Sequence, residues 1–277
     1  MFFIIFLSVL GFMHGYVGWR IFTDLNINSR YKILTIALIA IFTLLPVLPI
    51  AFRYIGYESS LLDILSLIGY TGLGFFFLSF LLFISRDLVF KVWSLISSFL
   101  RPNTKKQVTI DLEKRQFLQK SLSIGILTLV GPTTSYGFYS ARKGPSIINQ
   151  TIYLNDLPDS FENFTIAQIS DLHVGPTIKK PYVEKVLNQI SIINPDLIAI
   201  TGDLVDGSID YLKKDLEPLS EMIAKYGTYF VTGNHEYYSG AEKWLEETDR
   251  MGFTNLVNEH NLISINNETI ALAGVTD

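Results

Sequence analysis

Long stretches with almost no charged residues dominate the first half of the chain and limit what it can fold into. Residues 2–19, 33–52 and 61–84 are each long enough to cross a bilayer as a helix. Inside lipid the backbone must satisfy its own hydrogen bonds, and apolar runs of about 20 residues do so as helices. A weaker stretch, residues 121–141, contains no charge but is rich in Ser, Thr and Gly. The sequence therefore predicts a four-helix transmembrane region over residues 1–141.

The charge balance changes sharply after this region. Residues 1–142 hold 13 Lys and Arg against 6 Asp and Glu, whereas residues 143–277 hold 9 against 20. We interpret this as a basic membrane region, a polar linker over residues 142–150 and an acidic domain over residues 151–277. The acidic domain offers no basic groove for a phosphate backbone, which disfavours a nucleic acid as a partner. The chain contains no cysteine, which excludes disulfides and thiolate metal sites.

The basic residues also predict an orientation in the membrane. Residues 86–120 carry eight Lys or Arg against three acidic residues, and basic loops between spans stay in the cytoplasm. With four spans, the acidic domain then lies on the extracytoplasmic face of a plasma membrane. If residues 121–141 do not span, the domain lies in the cytoplasm instead.

Three polar signatures in the acidic domain each follow an apolar run that is typical of a buried strand. The runs, residues 164–169, 197–200 and 228–231, are separated by segments of helical length, which predicts an α/β domain with a mainly parallel sheet. Sites in such sheets lie beyond the carboxyl ends of the strands, so the signatures are expected to converge. The signatures are Asp171-Leu172-His173, Gly202-Asp203-Leu204-Val205-Asp206 and Gly233-Asn234-His235-Glu236. The other predicted elements are helices over residues 181–192, 211–224 and 241–251, an edge strand over 151–154, and short strands near 255–257, 262–265 and 269–273.

The side chains of these signatures indicate a metal site. They combine hard carboxylate and amide oxygens with imidazole nitrogens, and this donor set suits Mn, Fe, Zn or Mg. With several carboxylates and imidazoles together, a pair of ions is favoured over one, and paired ions suit phosphoryl chemistry.

In this order, the three signatures resemble those of the calcineurin-like metallophosphoesterase superfamily. The resemblance covers residues 150–277, and within the superfamily the chain looks most similar to the membrane-anchored bacterial phosphodiesterases. It implies an αββα sandwich and two divalent metal ions with a bridging hydroxide that attacks phosphorus. For a bacterial relative, the membrane is expected to be the plasma membrane.

The resemblance also implies metal-ligand roles for four residues. Asp171 and His173 would hold the first metal ion, Asp203 would bridge both ions, and Asn234 would hold the second. A bridging ligand must offer two oxygens, so Asp203 is not replaceable by Asn without weakening one ion.

Two further residues are expected to take part in catalysis. The resemblance places His235 at the scissile phosphate as a proton donor or charge stabiliser, and imidazole suits this role because it titrates near neutrality. It places Asp206 behind His235 as the orienting carboxylate, although Asp206 could instead be a turn or helix-start residue. For Glu236 we favour local hydrogen bonding over catalysis.

The sequence departs from the family's pattern near its end. Complete members continue with a further histidine ligand and a Gly-His-x-His signature, whereas this chain stops at Asp277. The remaining histidine of the domain, His260, lies in a segment that reads as a turn between short strands. We therefore expect a partial metallophosphoesterase domain, incomplete at its C-terminus, with an incomplete metal site.

Two functions remain open on the sequence. The first is a membrane-anchored phosphoesterase that hydrolyses a phosphodiester or phosphoanhydride, with a lipid head group as a candidate substrate because anchoring raises its local concentration. The alternative is a non-catalytic membrane protein with a degenerate or truncated metal-binding domain.

Overall fold

The computed structural model describes residues 2–100 and 111–277, which form two compact units. The first unit holds the chain up to Tyr57 and Ile64–Tyr139. The second holds Glu58–Asp63 and Ser140–Asp277. The predicted boundary between membrane region and acidic domain lies close to this division, except that a short segment from the first half belongs to the second unit.

The described residues of the first half of the chain form helices joined by short connections. Three helical stretches are long and apolar enough to cross a membrane, Ile4–Leu25, Ser29–Tyr54 and Ser60–Leu100, and the first three predicted spans fall largely within them. The predicted fourth span lies within a single helix that does not belong to this set, so it stays a prediction. Residues 101–110 of the basic segment lie outside the described residues. The helices are α1 (Phe2–Leu25), α2 (Ser29–Leu44), α3 (Val47–Tyr54), α4 (Ser60–Leu100) and α5 (Leu112–Arg142).

A buried polar cluster joins three helices of the first unit. Arg86 of α4 donates to Asp24 of α1 at 2.7 Å and to Ser123 of α5 at 2.8 Å. The Ser123 hydroxyl in turn donates to Asp24 at 2.7 Å. The positive charge of Arg86 and the negative charge of Asp24 offset each other, and hydrogen bonds satisfy their polar atoms. The cluster therefore links α1, α4 and α5 with little net charge.

A four-stranded parallel sheet forms the centre of the second unit. Its strands lie in the order β1 (Ile166–Ile169), β2 (Leu197–Thr201), β3 (Thr228–Val231) and β4 (Thr254–Asn255). The short apolar runs fold as strands because helices cover one face of the sheet and a hairpin covers the other, which buries both sets of side chains. The predicted parallel sheet is confirmed.

Helices α6 (Lys180–Ile193), α7 (Ile209–Leu216) and α9 (Ala241–Arg250) follow successive strands and contribute to the core on one face. The prediction of one helix over residues 211–224 was wrong. Helix α7 ends at Leu216 and a 3-10 turn, Glu217–Glu221, follows. The proline at position 218 explains this, because it has no N–H to continue an α-helix. A six-residue helix, α8 (Asn234–Ser239), was not predicted.

On the other face, β5 (Glu259–Ile265) and β6 (Glu268–Gly274) form an antiparallel hairpin. Their apolar side chains join a second core with Phe161, Leu197 and Tyr229. Helices, parallel sheet and hairpin give three of the four predicted sandwich layers within the part of the chain that the structure describes. Residues 151–154 form no strand, and His260 lies in β5 rather than in a turn.

Candidate metal centre

The loop after β1 and the loop after β2 lie side by side beyond the sheet. The backbone N–H of Asp171 donates to Gly202 O at 3.3 Å, and that of His173 donates to Asp203 O at 3.0 Å. The third loop joins them, since His235 N donates to the Asp203 carboxylate at 3.0 Å. The three signatures therefore meet at one edge, as the parallel topology predicts.

Three residues of these loops have left-handed backbone conformations. The φ angles are +54° at Asp171, +47° at His173 and +52° at Asp203. Residues other than glycine rarely adopt this conformation, because it costs about 1–3 kcal/mol for each residue. Such conformations concentrate at functional sites. Here they turn a carboxylate, an imidazole and a second carboxylate out of the strand direction.

The second and third loops approach so closely that only glycine fits between them. A Cβ on Gly233 would lie 2.6 Å from Asp203 N, and one on Gly202 would lie 2.5 Å from Gly233 N. Gly202 also has a φ of +79°. The glycines of both signatures are thus required for the position of Asp203.

The fully buried carboxylate of Glu236 fixes these two loops to each other. It accepts the backbone N–H of Gly233 at 2.7 Å and that of Asp203 at 2.9 Å. It also accepts from Leu204 N at 2.7 Å and Val205 N at 3.3 Å. A buried charge is tolerated when it is hydrogen-bonded in this way. The local hydrogen bonding predicted for Glu236 is present, and it extends across to the neighbouring loop.

Among the residues that the structure describes, His173, Asp203 and His235 form a group that could hold a metal ion. One ligand atom from each lies within 4.8 Å of the others. His173 Nε2 is 3.8 Å from a carboxylate oxygen of Asp203 and 3.8 Å from one of Asp171. Donors that each lie about 2.0–2.2 Å from one ion are at most about 4.4 Å apart, so this pair of distances fits a shared cation.

Asn234 also lies against Asp203. With its amide nitrogen toward Asp203, it donates to both carboxylate oxygens at 3.2 Å. With the amide oxygen turned toward the same place, Asn234 and Asp203 would present only oxygens, which is the donor set that a hard cation requires.

One oxygen of Asp206 contacts both histidines of the site. It lies 3.0 Å from His173 Nδ1 and 2.5 Å from His235 Nδ1, and the two rings are 4.5 Å apart at an interplanar angle of 86°. A carboxylate that accepts Nδ1–H fixes the ring orientation and leaves Nε2 for a metal or a substrate.

The carboxylates of the site alter the titration of His173. Burial by itself lowers the pKa of His173, but the hydrogen bond and charge of Asp206 and the charges of Asp203 and Asp171 outweigh it, and the pKa stands above its ordinary value. Since a histidine must be neutral to bind a metal, protons and metal ions compete for this side chain.

The structure brings all six predicted site residues together, with different exposure. The Asp203 side chain is 18% exposed and that of Asp171 is 66% exposed. Asp171 therefore lies at the open edge, while His235, predicted to act on the substrate, lies within the group of possible ligands. The contact of Asp206 with His173 was not predicted, because no spacing in the sequence reveals a contact across 33 residues.

Known proteins support this description of the domain. Residues 164–275 match the family model described as calcineurin-like phosphoesterase. The chain is 34% identical over 146 residues to "Transmembrane protein with metallophosphoesterase domain" of Danio rerio. The matched region covers 51% of this chain and 33% of that protein. A Caenorhabditis elegans protein whose name contains the word metallophosphoesterase is 30% identical over 245 residues, covering 87% of this chain and 49% of its own length.

The chain is also similar to a bacterial metallophosphoesterase. An uncharacterized metallophosphoesterase of Helicobacter pylori is 36% identical over 147 residues, covering 53% of this chain and 39% of its own length. The chain thus spans between a third and a half of the length of these relatives. No solved structure matches the chain. Its residues 164–275 form a calcineurin-like phosphoesterase domain.

Proposed function

We propose that this protein is a membrane-anchored, metal-dependent phosphoesterase that hydrolyses a phosphodiester or a phosphoanhydride. The observation that supports this most directly is the convergence of His173, Asp203 and His235, whose ligand atoms lie within 4.8 Å at the ends of parallel strands. The family of the domain agrees with a hydrolase acting on phosphoester bonds.

The site is suited to two divalent cations chosen from Mn, Fe, Zn and Mg. Asp171 and His173 would hold one, Asn234 the other, and Asp203 both. The chemistry that such cations supply is polarisation of the phosphoryl oxygens and neutralisation of the charge that develops at phosphorus. Of these ligands, the Asp203 carboxylate is best placed to serve both ions, because it contacts His235 N and faces His173 and Asn234.

His235 and Asp206 would handle the proton of the leaving group. Asp206 accepts from His235 Nδ1 at 2.5 Å, which holds the ring in one orientation. His235 would then donate a proton from Nε2 to the departing oxygen, at a pH where imidazole can both lose and gain a proton.

The location that we propose is a bacterial plasma membrane, with the phosphoesterase domain on the extracytoplasmic face. The basic bias of residues 86–120 favours this orientation. The hydrogen bonds of Ser123 to Asp24 and Arg86 favour a place for α5 within the helix bundle. At such a location a lipid head group is a candidate substrate.

Hydrolysis of bis(p-nitrophenyl) phosphate by the purified chain with added Mn²⁺ tests the proposal. Replacement His235→Asn should lower kcat by about a hundredfold to ten-thousandfold, the usual contribution of a general acid. The matched control is His260→Asn, because His260 is exposed on β5, and it should keep kcat within about twofold of the unmodified protein.

Equal kcat in both variants would contradict the role of His235. Absence of turnover despite Mn²⁺ binding would instead favour a non-catalytic metal-binding protein. Hydrolysis of a lipid extract, followed by analysis of the released head groups, tests the candidate substrate separately, and no released product would exclude lipids.

A further inference from the structure

A short segment from the first half of the chain belongs to the same compact unit as the phosphoesterase domain. Residues Glu58–Asp63 cluster with Ser140–Asp277. This segment contains the end of the connection after α3 and the first turn of α4, which begins at Ser60. Its two charged side chains are both carboxylates, and both contact the domain.

Glu58 contacts the residue that precedes α7. Each of its carboxylate oxygens lies 3.3 Å from the backbone N of Ser208, and the Ser208 hydroxyl donates to the same carboxylate. Hydrogen bonds to an ionised acceptor are stronger than neutral ones, and a negative charge is favourable at the N-terminus of a helix. Glu58 therefore stabilises the beginning of α7.

Asp63 contacts two further residues of the domain. It accepts a hydrogen bond from the Tyr211 hydroxyl at 2.7 Å and lies 2.9 Å from Lys179 Nζ. Lys179 also pairs with Asp215 at 3.3 Å and lies 4.5 Å from the centroid of the Tyr211 ring. Asp63 is 8% exposed, so its charge is largely removed from water and depends on these partners.

The contact of Glu58 lies two residues from the carboxylate that both site histidines share. Asp206 N donates to Val174 O at 2.8 Å, and Gly207 is held by Ser239 and Trp244 through its N–H and its carbonyl. A Cβ on Gly207 would lie 2.5 Å from a carboxylate oxygen of Glu58, so the backbone and Glu58 are in close contact. Each of residues 206–208 is thus held in place by hydrogen bonds, and Glu58 accepts those of Ser208.

From these contacts we propose that residues 58–63 are a docking element of the phosphoesterase domain, which fixes residues 206–208 and thereby positions Asp206. Glu58 is a positioning residue, because it acts through the backbone at Ser208. The same docking places the N-terminal end of α4 on the same side of the membrane as the domain. The effect on turnover rests on the proposed phosphoesterase function, whereas the docking itself does not.

Disulfide cross-linking tests the docking without any activity measurement. The chain contains no cysteine, so Glu58→Cys with Ser208→Cys in the full chain introduces a single pair of thiols, and Asp63 keeps its contacts. A protease site is placed in the linker over residues 142–150, and the membranes are oxidised by oxygen with copper phenanthroline. After cleavage, the two fragments should migrate as one species until a reductant separates them.

The matched control pairs Glu58→Cys with Ser264→Cys, because Ser264 is exposed on β5, whereas the hydrogen bonds of Glu58 go to Ser208. Its fragments should separate after the same treatment. Cross-linking of the Glu58 and Ser208 positions that is no faster than in this control would overturn the docking. Since two side chains cannot join across a bilayer, rapid cross-linking would also establish the shared side.

Steady-state kinetics test the positioning role. Glu58→Gln should lower kcat by about threefold to tenfold and leave KM within about twofold, because a displaced Asp206 affects proton transfer rather than substrate binding. Glu58→Asp should recover part of the loss. Glu162→Gln, which changes an exposed carboxylate elsewhere in the domain, should leave both constants unchanged.

Normal kcat and KM for Glu58→Gln would overturn the positioning role, and an equal fall in kcat and rise in KM would overturn it as well. If no variant and no unmodified protein turns over substrate, the proposed function fails, while the cross-linking result still decides whether residues 58–63 dock.

Discussion

At the scale of single residues, the site depends on conformations and contacts that force three loops into one place. The left-handed φ angles of Asp171, His173 and Asp203 aim their side chains at a common volume. Glu236 holds the second and third loops together through four backbone N–H groups. The strain of the left-handed conformations must be offset by the contacts around them, and the hydrogen bonds of Glu236 are among these contacts.

Replacement Glu236→Gln should therefore destabilise the domain. The amide nitrogen would face backbone N–H groups, and the charge-assisted hydrogen bonds would be lost, so we expect the free energy of unfolding to fall by about 2–3 kcal/mol. Urea unfolding followed by protease susceptibility of the domain measures this change. The control is Glu259→Gln, which alters an exposed carboxylate on β5; equal unfolding midpoints in the two variants would contradict the role of Glu236.

The sequence was sufficient to predict which side chains meet at the edge of the sheet but not all of their partners. Asp203, Asn234 and His235 are recognisable because each follows a short apolar strand at the carboxyl edge of a parallel sheet. The shared hydrogen bonds of Asp206 and the reach of Glu236 to Leu204 connect residues about 30 positions apart. Such contacts depend on the register of neighbouring strands and on how far each loop turns, and neither has a signature in sequence spacing.

At the scale of elements, the strands that support the site were predictable because apolar runs bounded by polar signatures are distinctive. The helices were less predictable than the strands. Helix α7 stops early at Pro218, and α8 begins at Asn234 within a polar segment that has no apolar stripe. The predicted strand over residues 151–154 fails because its side chains are exposed and its backbone pairs with no strand among the described residues.

Glu247 is expected to make the packing of α9 dependent on pH. It pairs with Lys213 of α7 at 3.0 Å and accepts from Arg250 Nε at 2.9 Å. The hydrogen bond from Arg250 lowers the pKa of Glu247 below its ordinary value of 4.5, against the effect of burial and with help from Lys213. A lowered pKa means stability that is present above pH 4.5 and is lost as the pH falls through the pKa in the folded protein.

Glu247→Gln should accordingly lower the unfolding midpoint of the domain at pH 7, and the difference from the unmodified protein should shrink as the medium becomes more acidic than about pH 4. Thermal unfolding across a series of buffers measures the difference. Glu246→Gln serves as the control because Glu246 is exposed, and it should show no such pH dependence. A deficit of Glu247→Gln that stays constant from neutral to acidic pH would contradict the assigned pairing.

At the scale of the whole molecule, a helical first half precedes the calcineurin-like phosphoesterase domain. Its orientation can be measured with an impermeant maleimide, because the chain has no cysteine of its own. In intact cells, Asp156→Cys in the domain should react, whereas Lys114→Cys in the basic segment should react only after permeabilisation. If neither position reacts until the cells are permeabilised, residues 121–141 do not span and the domain lies in the cytoplasm, and the reverse pattern would mean that the orientation is inverted.

We propose that the three signature loops hold divalent cations through Asp203, and titration of Mn²⁺ into the purified protein tests this binding. Isothermal calorimetry should detect binding to the unmodified chain and to Asp156→Asn, which alters an exposed carboxylate outside the site. Asp203→Asn should weaken the affinity by about tenfold to a hundredfold or more. Mn²⁺ affinity that is the same in Asp203→Asn as in the unmodified protein would contradict the account.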